Sequence, residues 1–548
     1  MRTTTRQRRR AWTAGALAST LLLGGCGPGA NTDAQVPFSA TTEAAAKGKD
    51  GLIWMLTQEP SVLDPDTDAS TADDTVLANV CERLMQIQPD LSLGPGLATS
   101  AKWSDDTHLV LTITEDAHFH DGTPITADDV LFSLKRHAAE GAGESDEYGN
   151  VVGMTVSGDH EVTIETSQPD AILLQALGGD GGIVWNRTVI EEHGEEYGLP
   201  GTTDACSGPY EVGDWKAGTS LTLTKADDYW NPERAALSDT ITFRWAEDSA
   251  VVNSLRAGEA DGSYLDASSS AVPLLGNDDL SVTQGPATNA WVLIPTARGA
   301  GTDPRIRRAL SLALERDGIN TSAFGGLAQP GRAPVGSGAW GFEPDAFAAA
   351  AERLHEVPAT PTDTDLEAAR DLVEEAKSDG AATDLIVASS ADVTRNVIAN
   401  GVLSAAESIG LEPAIRTVPA SQYGDFYGDE DLRDEADLWI DEYYISKTDP
   451  LGFYKNGASE ASVNYAGFSD SAYDDLVARA QGVTGDAERS RLTIDLQRRW
   501  NEAMVWIPVV ESPSTLVTGA GVTGAPASAA FLYYPWAADL GAVEGAGE

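Results

Sequence analysis

The sequence predicts an α/β protein of more than one domain, and three observations support that prediction. Segments with the alternating pattern of a half-buried strand occur along the chain, as where Leu109, Leu111 and Ile113 alternate with Val110 and Thr112. Segments with the apolar spacing of a helix alternate with them, which is the order of an α/β fold. The chain has 548 residues, enough for two or three domains with sizeable cores.

The segment at residues 119–136 predicts a turn followed by a helix. Gly122 permits a positive φ in the turn. Thr126 is the expected N-cap, and Asp128 and Asp129 would lie in the first turn, where the helix dipole favours carboxylates. Taken alone, this pattern fits a strand-to-helix connection in any enzyme.

The N-terminus predicts export. Residues 1–10 contain five arginines, and the apolar run at residues 11–23 is shorter than the ~20 residues that a membrane-spanning helix needs. The run ends in Leu-Gly-Gly-Cys26, which resembles a lipobox, so residues 1–25 are predicted to be a lipoprotein signal peptide and Cys26 the lipidated residue. The alternative is ordinary secretory cleavage near a chance cysteine. Sec and twin-arginine export both remain open.

The residues that follow the leader predict a tether. Residues 26–49 are rich in Gly, Ala and Thr and show no periodicity, so we expect a flexible link between the lipid and the folded body. The protein would then be anchored at the outer face of the cell membrane and not embedded in it.

Charge limits the possible partners. The formal net charge is −49 at pH 7. Nucleic-acid binding is disfavoured because it needs a basic surface that replaces counterions. A cationic ligand is compatible with this charge, but so is a solvated acidic surface, since the acids are spread along the whole chain.

Three cysteines fit an exported protein. If Cys26 is lipidated, Cys81 and Cys206 remain as an even pair. In an oxidising compartment such a pair commonly forms a disulfide. The alternative is two separate buried thiols.

The 119–136 segment resembles the hallmark segment of the extracellular solute-binding proteins, family 5, the oligopeptide-, dipeptide- and nickel-binding receptors of ABC importers. Further matches to that family follow one another in the family's order along almost the whole mature chain. They lie at residues 59–65, 94–98, 207–210, 228–232, 255–261, 303–310 and 496–510.

The resemblance implies a two-lobed fold of the periplasmic-binding-protein type II-like class, with an extra subdomain in lobe I and a hinge between the lobes. Lobe I is expected at residues 50–285 plus 509–548, with the subdomain at about 85–183. Lobe II is expected at residues 286–508. The ligand would bind between the lobes, which close around it.

The resemblance also implies a ligand site. Peptide-binding members carry an Asp three residues after a Trp, and it receives the peptide's α-ammonium group. Placed on Trp439, that position is Glu442, with Asp441 and Tyr443 beside it. This chain departs from the pattern by a Glu for Asp and by about two extra residues before Asp449.

Four further residues are candidate ligand contacts. Asn289 and Trp291 follow the first hinge crossing, and Gln58 and Glu59 follow the first strand. A pocket needs flat aromatic walls and a few polar groups, but Trp291 could equally belong to the core.

No enzyme is predicted. The chain has no Gly-x-Ser-x-Gly, His-Glu-x-x-His, Walker A or Cys-x-x-Cys motif. His118 and His120 suggest a metal pair at first, but turn residues explain them better, so neither a metal nor a cofactor is expected.

The predicted function is a monomeric, lipid-anchored receptor that captures a peptide or peptide-like solute and delivers it to ABC permease and ATPase subunits. The alternatives are a solute-sensing receptor, or a binding protein for a non-peptide ligand such as a nickel chelate, an opine or an oligosaccharide.

Overall fold

A computed structural model describes residues 36–67 and 70–545. Cys26 and the leader lie outside these residues. Within the described part, residues 36–285 form twelve strands and five helices. The strands are β1 Leu52–Leu56, β2 Met85–Ile87, β3 Leu93–Pro95, β4 Ala98–Trp103, β5 His108–Ile113, β6 Val151–Gly158, β7 Glu161–Thr166, β8 Tyr210–Lys216, β9 Ser220–Lys225, β10 Thr240–Trp245, β11 Gly262–Leu265 and β12 Leu280–Gly285. The helices are α1 Thr71–Val80, α2 Ala127–His137, α3 Leu173–Ala176, α4 Arg187–His193 and α5 Asp248–Arg256.

Residues 286–511 form a second lobe, and the chain then returns to the first. The strands of lobe II are β13 Ala290–Pro295, β14 Gln329–Pro330, β15 Asp384–Ser389, β16 Glu412–Thr417, β17 Leu438–Tyr443 and β18 Ile507–Glu511. Its helices are α6 Pro304–Ala313, α7 Arg316–Phe324, α8 Pro344–Ala351, α9 Asp363–Ser378, α10 Val393–Ser408, α11 Ala420–Tyr423, α12 Glu430–Arg433, α13 Leu451–Tyr454, α14 Ser471–Gln481 and α15 Asp486–Ala503. The returning strands are β19 Ser514–Gly519, β20 Val522–Thr523 and β21 Gly541–Ala542.

Each lobe is built on its own sheet, which confirms the predicted two-lobed α/β fold. The sheet of lobe I has the order β12-β19-β11-β1-β10-β9-β8, and that of lobe II has the order β14-β18-β13-β17-β15-β16. Each sheet contacts its own cluster of buried apolar side chains. The smaller sheet β4-β5-β7-β6 packs with α2 around a separate cluster, inside the range expected for the inserted subdomain.

Two crossings join the lobes. The first lies between β12 and β13, at residues 286–289, near the predicted position. The second lies between β18, which pairs with β13 in lobe II, and β19, which pairs with β11 in lobe I. The return to lobe I therefore begins after Glu511 and not at residue 509, because the closing strand continues its ladder for three more residues.

The turn and helix start at residues 119–136 are confirmed. Gly122 has a φ of 80°. Thr126 is the N-cap of α2, and its side chain and that of Asp129 satisfy each other's backbone N–H in a capping box. Val130 and Leu134 are fully buried against the small sheet.

The predicted tether needs a correction in its described part. Ser39 N donates to Gln284 O at 2.8 Å, and Ala46 N donates to Ala542 O at 3.0 Å. Thr42 Oγ1 donates to Ala525 O at 2.7 Å. Residues 39–46 are therefore attached to lobe I, since their backbone groups find partners there that a free linker lacks.

A disulfide joins Cys81, the C-cap of α1, to Cys206, with Cα atoms 4.7 Å apart. In the described part of the chain, no helix combines the length and apolar character that crossing a membrane requires.

Candidate functional site

Strand β17 carries the candidate ammonium-binding residue to the boundary between the lobes. β17 pairs antiparallel with β13, so Glu442 lies opposite Trp291. The first three residues of the strand are fully buried and anchor it in the lobe II core. Glu442 and Tyr443 at its end are only partly buried. The strand thus presents Glu442 at the point where the lobe II core gives way to the cleft.

Glu442 sits in an acidic environment built from both lobes. Burial raises the pKa of Glu442 to about 7, the Ser512 hydroxyl in the second crossing counteracts part of that rise, and Asp441 and Asp266 add to it. Asp266 follows β11 in lobe I, and burial also raises its pKa. A positive ligand group placed here would relieve two desolvated carboxylates at once.

Both carboxylate oxygens of Asp441 already have hydrogen-bond partners. Arg395 Nη2 donates to Asp441 Oδ1 at 2.9 Å, and the Tyr427 hydroxyl donates to Oδ2. Asp441 is only 7% exposed. Because strand neighbours point to opposite faces, the contacts of Asp441 differ from those of Glu442. Asp441 is thus held in an ion pair within lobe II, on the face of the strand opposite Glu442, and it is not free to contact a ligand.

The two tryptophans proposed for the site belong to the core. Trp439 is fully buried and stacks on Phe426 with ring centroids 5.4 Å apart. Trp291 is 6% exposed and lies 5.4 Å from the Arg395 guanidinium, in a cation–π contact. Both rings therefore pack in the lobe II core, which is the alternative stated above for Trp291 and makes Trp439 a supporting residue of the strand.

The remaining candidates do not contact Glu442 directly, although Asn289 shares Ser512 with it. Gln58 and Glu59 are exposed after β1, and Glu59 accepts a hydrogen bond from Gly218 N at 2.6 Å, in the β8–β9 turn. Asn289 is half-buried in the first crossing, where its carbonyl accepts a hydrogen bond from Ser512 N at 3.3 Å. Asn289 thus ties the two crossings together.

Tyr443 opens onto a cavity of about 560 Å³ between the lobes. The Tyr443 ring packs edge-on against Trp506 at 4.9 Å, and its hydroxyl accepts a hydrogen bond from Asn456 Nδ2 at 3.2 Å. This volume lies in the range that small-molecule sites occupy. Lobe II supplies most of the lining, including Tyr444, and the subdomain supplies Asp146 and Glu147.

Lysines lie at the lobe boundary of this cavity. Lys447 pairs with Glu147 across the lobes, and both side chains are largely buried. Nearby, Thr448 Oγ1 donates to Gln175 Oε1 at 2.8 Å. Lys455 also lines the cavity, and burial lowers its pKa.

Glu442 and Tyr443 were candidates from the sequence, whereas Asp266, Lys447 and Lys455 were not. The sequence offers a reason to consider Tyr444, because this residue adjoins the candidate motif. It offers no reason to consider Asp266, since that residue lies more than 170 residues from Glu442 along the chain.

His120 of the hallmark segment and His118, which precedes it, both lie within hydrogen-bond distance of backbone carbonyls. His120 Nε2 lies 2.9 Å from Gly208 O, and His118 Nδ1 lies 3.2 Å from Phe119 O. Across residues 36–67 and 70–545, no three His, Cys, Asp or Glu side chains converge to hold a metal ion.

Comparison with known proteins identifies the family. The model of the "Bacterial extracellular solute-binding proteins, family 5 Middle" matches residues 92–465. The probable D,D-dipeptide-binding periplasmic protein DdpA of Escherichia coli K12 is 27% identical over 55% of this chain, and the match spans 60% of that relative's length. The periplasmic oligopeptide-binding protein OppA of the same strain is 22% identical over 82% of this chain and 85% of its own.

The fold is shared with solved structures. The murein tripeptide-binding protein MppA of Escherichia coli, in its unliganded open form, superimposes with a TM-score of 0.76 at 18% identity, over 92% of this chain and 99% of MppA.

Proposed function

This chain belongs to the bacterial extracellular solute-binding proteins of family 5, and from that membership we propose that it captures a peptide or peptide-like solute between its lobes and delivers it to an ABC importer. The similar proteins DdpA and OppA are named as dipeptide- and oligopeptide-binding proteins, which favours this ligand class. The family is a solute-binding component of transport. Permease and ATPase subunits are its proposed partners, and the receptor acts as a monomer.

The observation that carries the proposal is the carboxylate of Glu442. The charge of Asp266 in lobe I acts on it, and Arg395, whose charge also acts on Glu442, is already paired with Asp441. The site therefore has negative charge left over for a ligand ammonium. Tyr443 follows on the opposite face of β17, where its ring lines the neighbouring cavity.

Lys447 and Lys455 line the neighbouring cavity, whose lining does not include Glu442, and they suit the other end of such a ligand. Lys455 has no salt-bridge partner in the described part of the chain, and burial lowers its pKa. A ligand carboxylate would restore its charged form. A peptide carries both groups, an ammonium for Glu442 and a carboxylate for Lys455, whereas an oligosaccharide carries neither.

A thermal-shift panel tests this proposal. Trialanine should raise the unfolding temperature, and N-acetyl-trialanine at the same concentration should not, because acetylation removes the ammonium. Nickel with histidine and a neutral trisaccharide serve as the competing classes. Protection by either competitor without protection by any free-amine peptide would refute the peptide proposal.

We also propose that Cys26 anchors the mature protein to the outer face of the cell membrane. The basic leader, the short apolar run and Leu-Gly-Gly-Cys26 support this, although residue 26 lies outside the described residues. The anchor would hold the receptor close to its permease.

A further inference from the structure

The inserted subdomain contacts lobe II directly, through residues that belong to neither crossing. Its segment at residues 170–175 carries Ile172, which is only 5% exposed. Ile172 belongs to an apolar cluster whose other buried members all lie between residues 290 and 506, in lobe II. Burying an isoleucine among the side chains of another lobe removes apolar surface from water and favours the contact. The subdomain and lobe II are therefore held together by packing, without a chain connection of their own.

The backbone next to Ile172 is also bound by lobe II. Ala171 N donates a hydrogen bond to Gln481 O at 3.1 Å, and Arg489 Nη1 donates to Ala171 O at 3.3 Å. Gln481 is the last residue of α14, and Arg489 lies near the start of α15. Both polar backbone groups of Ala171 thus find partners in lobe II, which fixes the segment that presents Ile172.

Polar side chains extend this contact to the candidate cavity. Thr448 Oγ1 of lobe II donates to Gln175 Oε1 of the subdomain at 2.8 Å, and both side chains are buried. Lys447 pairs with Glu147, and Ser446 Oγ donates to Glu147 Oε1 at 3.2 Å. The largely buried carboxylate of Glu147 therefore receives a cation and a hydroxyl donor from lobe II, as a buried charge requires.

The contact is small, and two cavities adjoin it. Glu147, Lys447 and Gln481 line the cavity of about 560 Å³ described above. Glu147, Ile172 and Gln481 also line a second cavity, of about 250 Å³. A permanent interface is packed like a protein core, whereas this one adjoins two voids. Small and partly polar contacts between domains are those across which domains move.

The subdomain is fastened to the rest of lobe I. Arg83, which precedes the subdomain, donates from Nη2 to Asp180 Oδ1 at 2.6 Å and from Nη1 to Tyr533 O at 3.1 Å. His120 N donates to Cys206 O at 2.9 Å, which ties the turn of the subdomain to the residue of the disulfide. Opening the cleft therefore has to separate the subdomain from lobe II.

We propose that Ile172 and the Glu147–Lys447 pair form a latch that keeps the cleft closed when no solute is bound. To open, the lobes must withdraw Ile172 from lobe II and break the ion pair. Only open molecules admit solute, so the latch lowers the apparent affinity by the open fraction. It also slows release, and delivery then requires the latch to be broken. The latch acts in the same way on any class of solute that the cleft holds.

The distance between spin labels on the two lobes, measured by double electron–electron resonance on extensively dialysed protein, tests the latch. The labels are attached at Thr155→Cys in β6 and Asp475→Cys in α14, both exposed positions, and Cys26→Ala removes a competing thiol. With the latch residues intact, one short distance should dominate.

Two separate changes should open the latch. Ile172→Ala removes the apolar contact, and Glu147→Gln/Lys447→Met removes the ion pair without leaving a buried charge unpaired. Each should add a longer distance and raise the ratio of open to closed molecules by about tenfold or more. Ile190→Ala is the matched control, because Ile190 is 6% exposed and packs in the core of lobe I. It loses similar burial without touching the boundary and should keep the wild-type distance.

Three outcomes would overturn the latch. They are a long distance that already dominates with the latch residues intact, unchanged distances in both latch variants, and an equal shift in Ile190→Ala. If Ile172→Ala shows no cooperative unfolding transition, Glu147→Gln/Lys447→Met decides alone, because Gln and Met keep nearly the shapes of the side chains that they replace.

Discussion

Ionised Glu442 should lower the free energy of unfolding of the ligand-free protein, and Glu442→Gln should restore it. Burial raises the pKa of Glu442 from 4.5 to about 7. The folded chain therefore holds this proton to a higher pH than the unfolded chain does. Between about pH 4.5 and 7 the folded state binds more protons, so the free energy of unfolding falls as the pH rises through that window. Glutamine has nearly the same shape and no charge to desolvate.

The size of the effect follows from the shift. One pKa unit corresponds to about 1.4 kcal/mol, so the ionised Glu442 destabilises the ligand-free protein by up to about 3 kcal/mol above pH 7. Below pH 4.5 the carboxyl is protonated in both states and contributes nothing. Glu442→Gln should therefore match wild type near pH 4.5 and exceed its stability by up to about 3 kcal/mol at pH 8.

Urea unfolding followed by tryptophan fluorescence at pH 4.5, 6, 7 and 8 measures this difference. Glu367→Gln, at an exposed position of α9, is the matched control and should follow wild type throughout. A Glu442→Gln curve that also follows wild type at every pH, or lies below it at pH 8, would refute the account of a desolvated carboxylate.

The same variant should bind its ligand more weakly than wild type does. Removing one partner of a buried charge pair costs ~2–5 kcal/mol, or about 30- to several-thousand-fold in affinity for a ligand that carries an ammonium. Opposite signs in the two measurements, gained stability and lost affinity, would mark Glu442 as a binding residue. Unchanged affinity would mean that the ligand carries no positive group at this position.

Three further outcomes are expected. Titration of the unfolded, non-reduced protein should find neither Cys81 nor Cys206 free, and replacing both with Ser should cost about 4–5 kcal/mol because the bridge closes a loop of 125 residues; two free thiols would contradict it. Arg83→Met should destabilise by about 3–5 kcal/mol, because it leaves a buried carboxylate without its cation, whereas Arg491→Met at an exposed pair should change little; equal effects would argue against that role. Cys26→Ala should move the protein from washed membranes to the soluble fraction, and its retention there would exclude lipid anchoring through this residue.

Local chemistry made much of the fold predictable. The turn at Gly122 and the capping box of Thr126 and Asp129 depend on residues within a few positions of one another, and both are present. The position of Glu442 relative to Trp439 followed from the motif, but the strand that carries both was not predicted.

Side-chain environment was not predictable in the same way. Trp is a residue type typical of pocket walls, but Trp291 packs against Arg395 and Trp439 against Phe426, and both lie in the core. Asp266, whose charge acts on Glu442, comes from the other lobe, and no local pattern marks it. The tether was misjudged at residues 39–46 because extended segments without periodicity can still pair with distant backbone groups.

The central claim is that the cleft captures a solute with a free ammonium group, most directly a peptide. Mass spectrometry of the small molecules released when the purified, undialysed protein is denatured tests it without assuming a ligand. The account predicts short peptides or peptide-like compounds with an unblocked amine, present in wild type and depleted in Glu442→Gln. Release of a nickel chelate or an oligosaccharide, in equal amounts from both proteins, would contradict it.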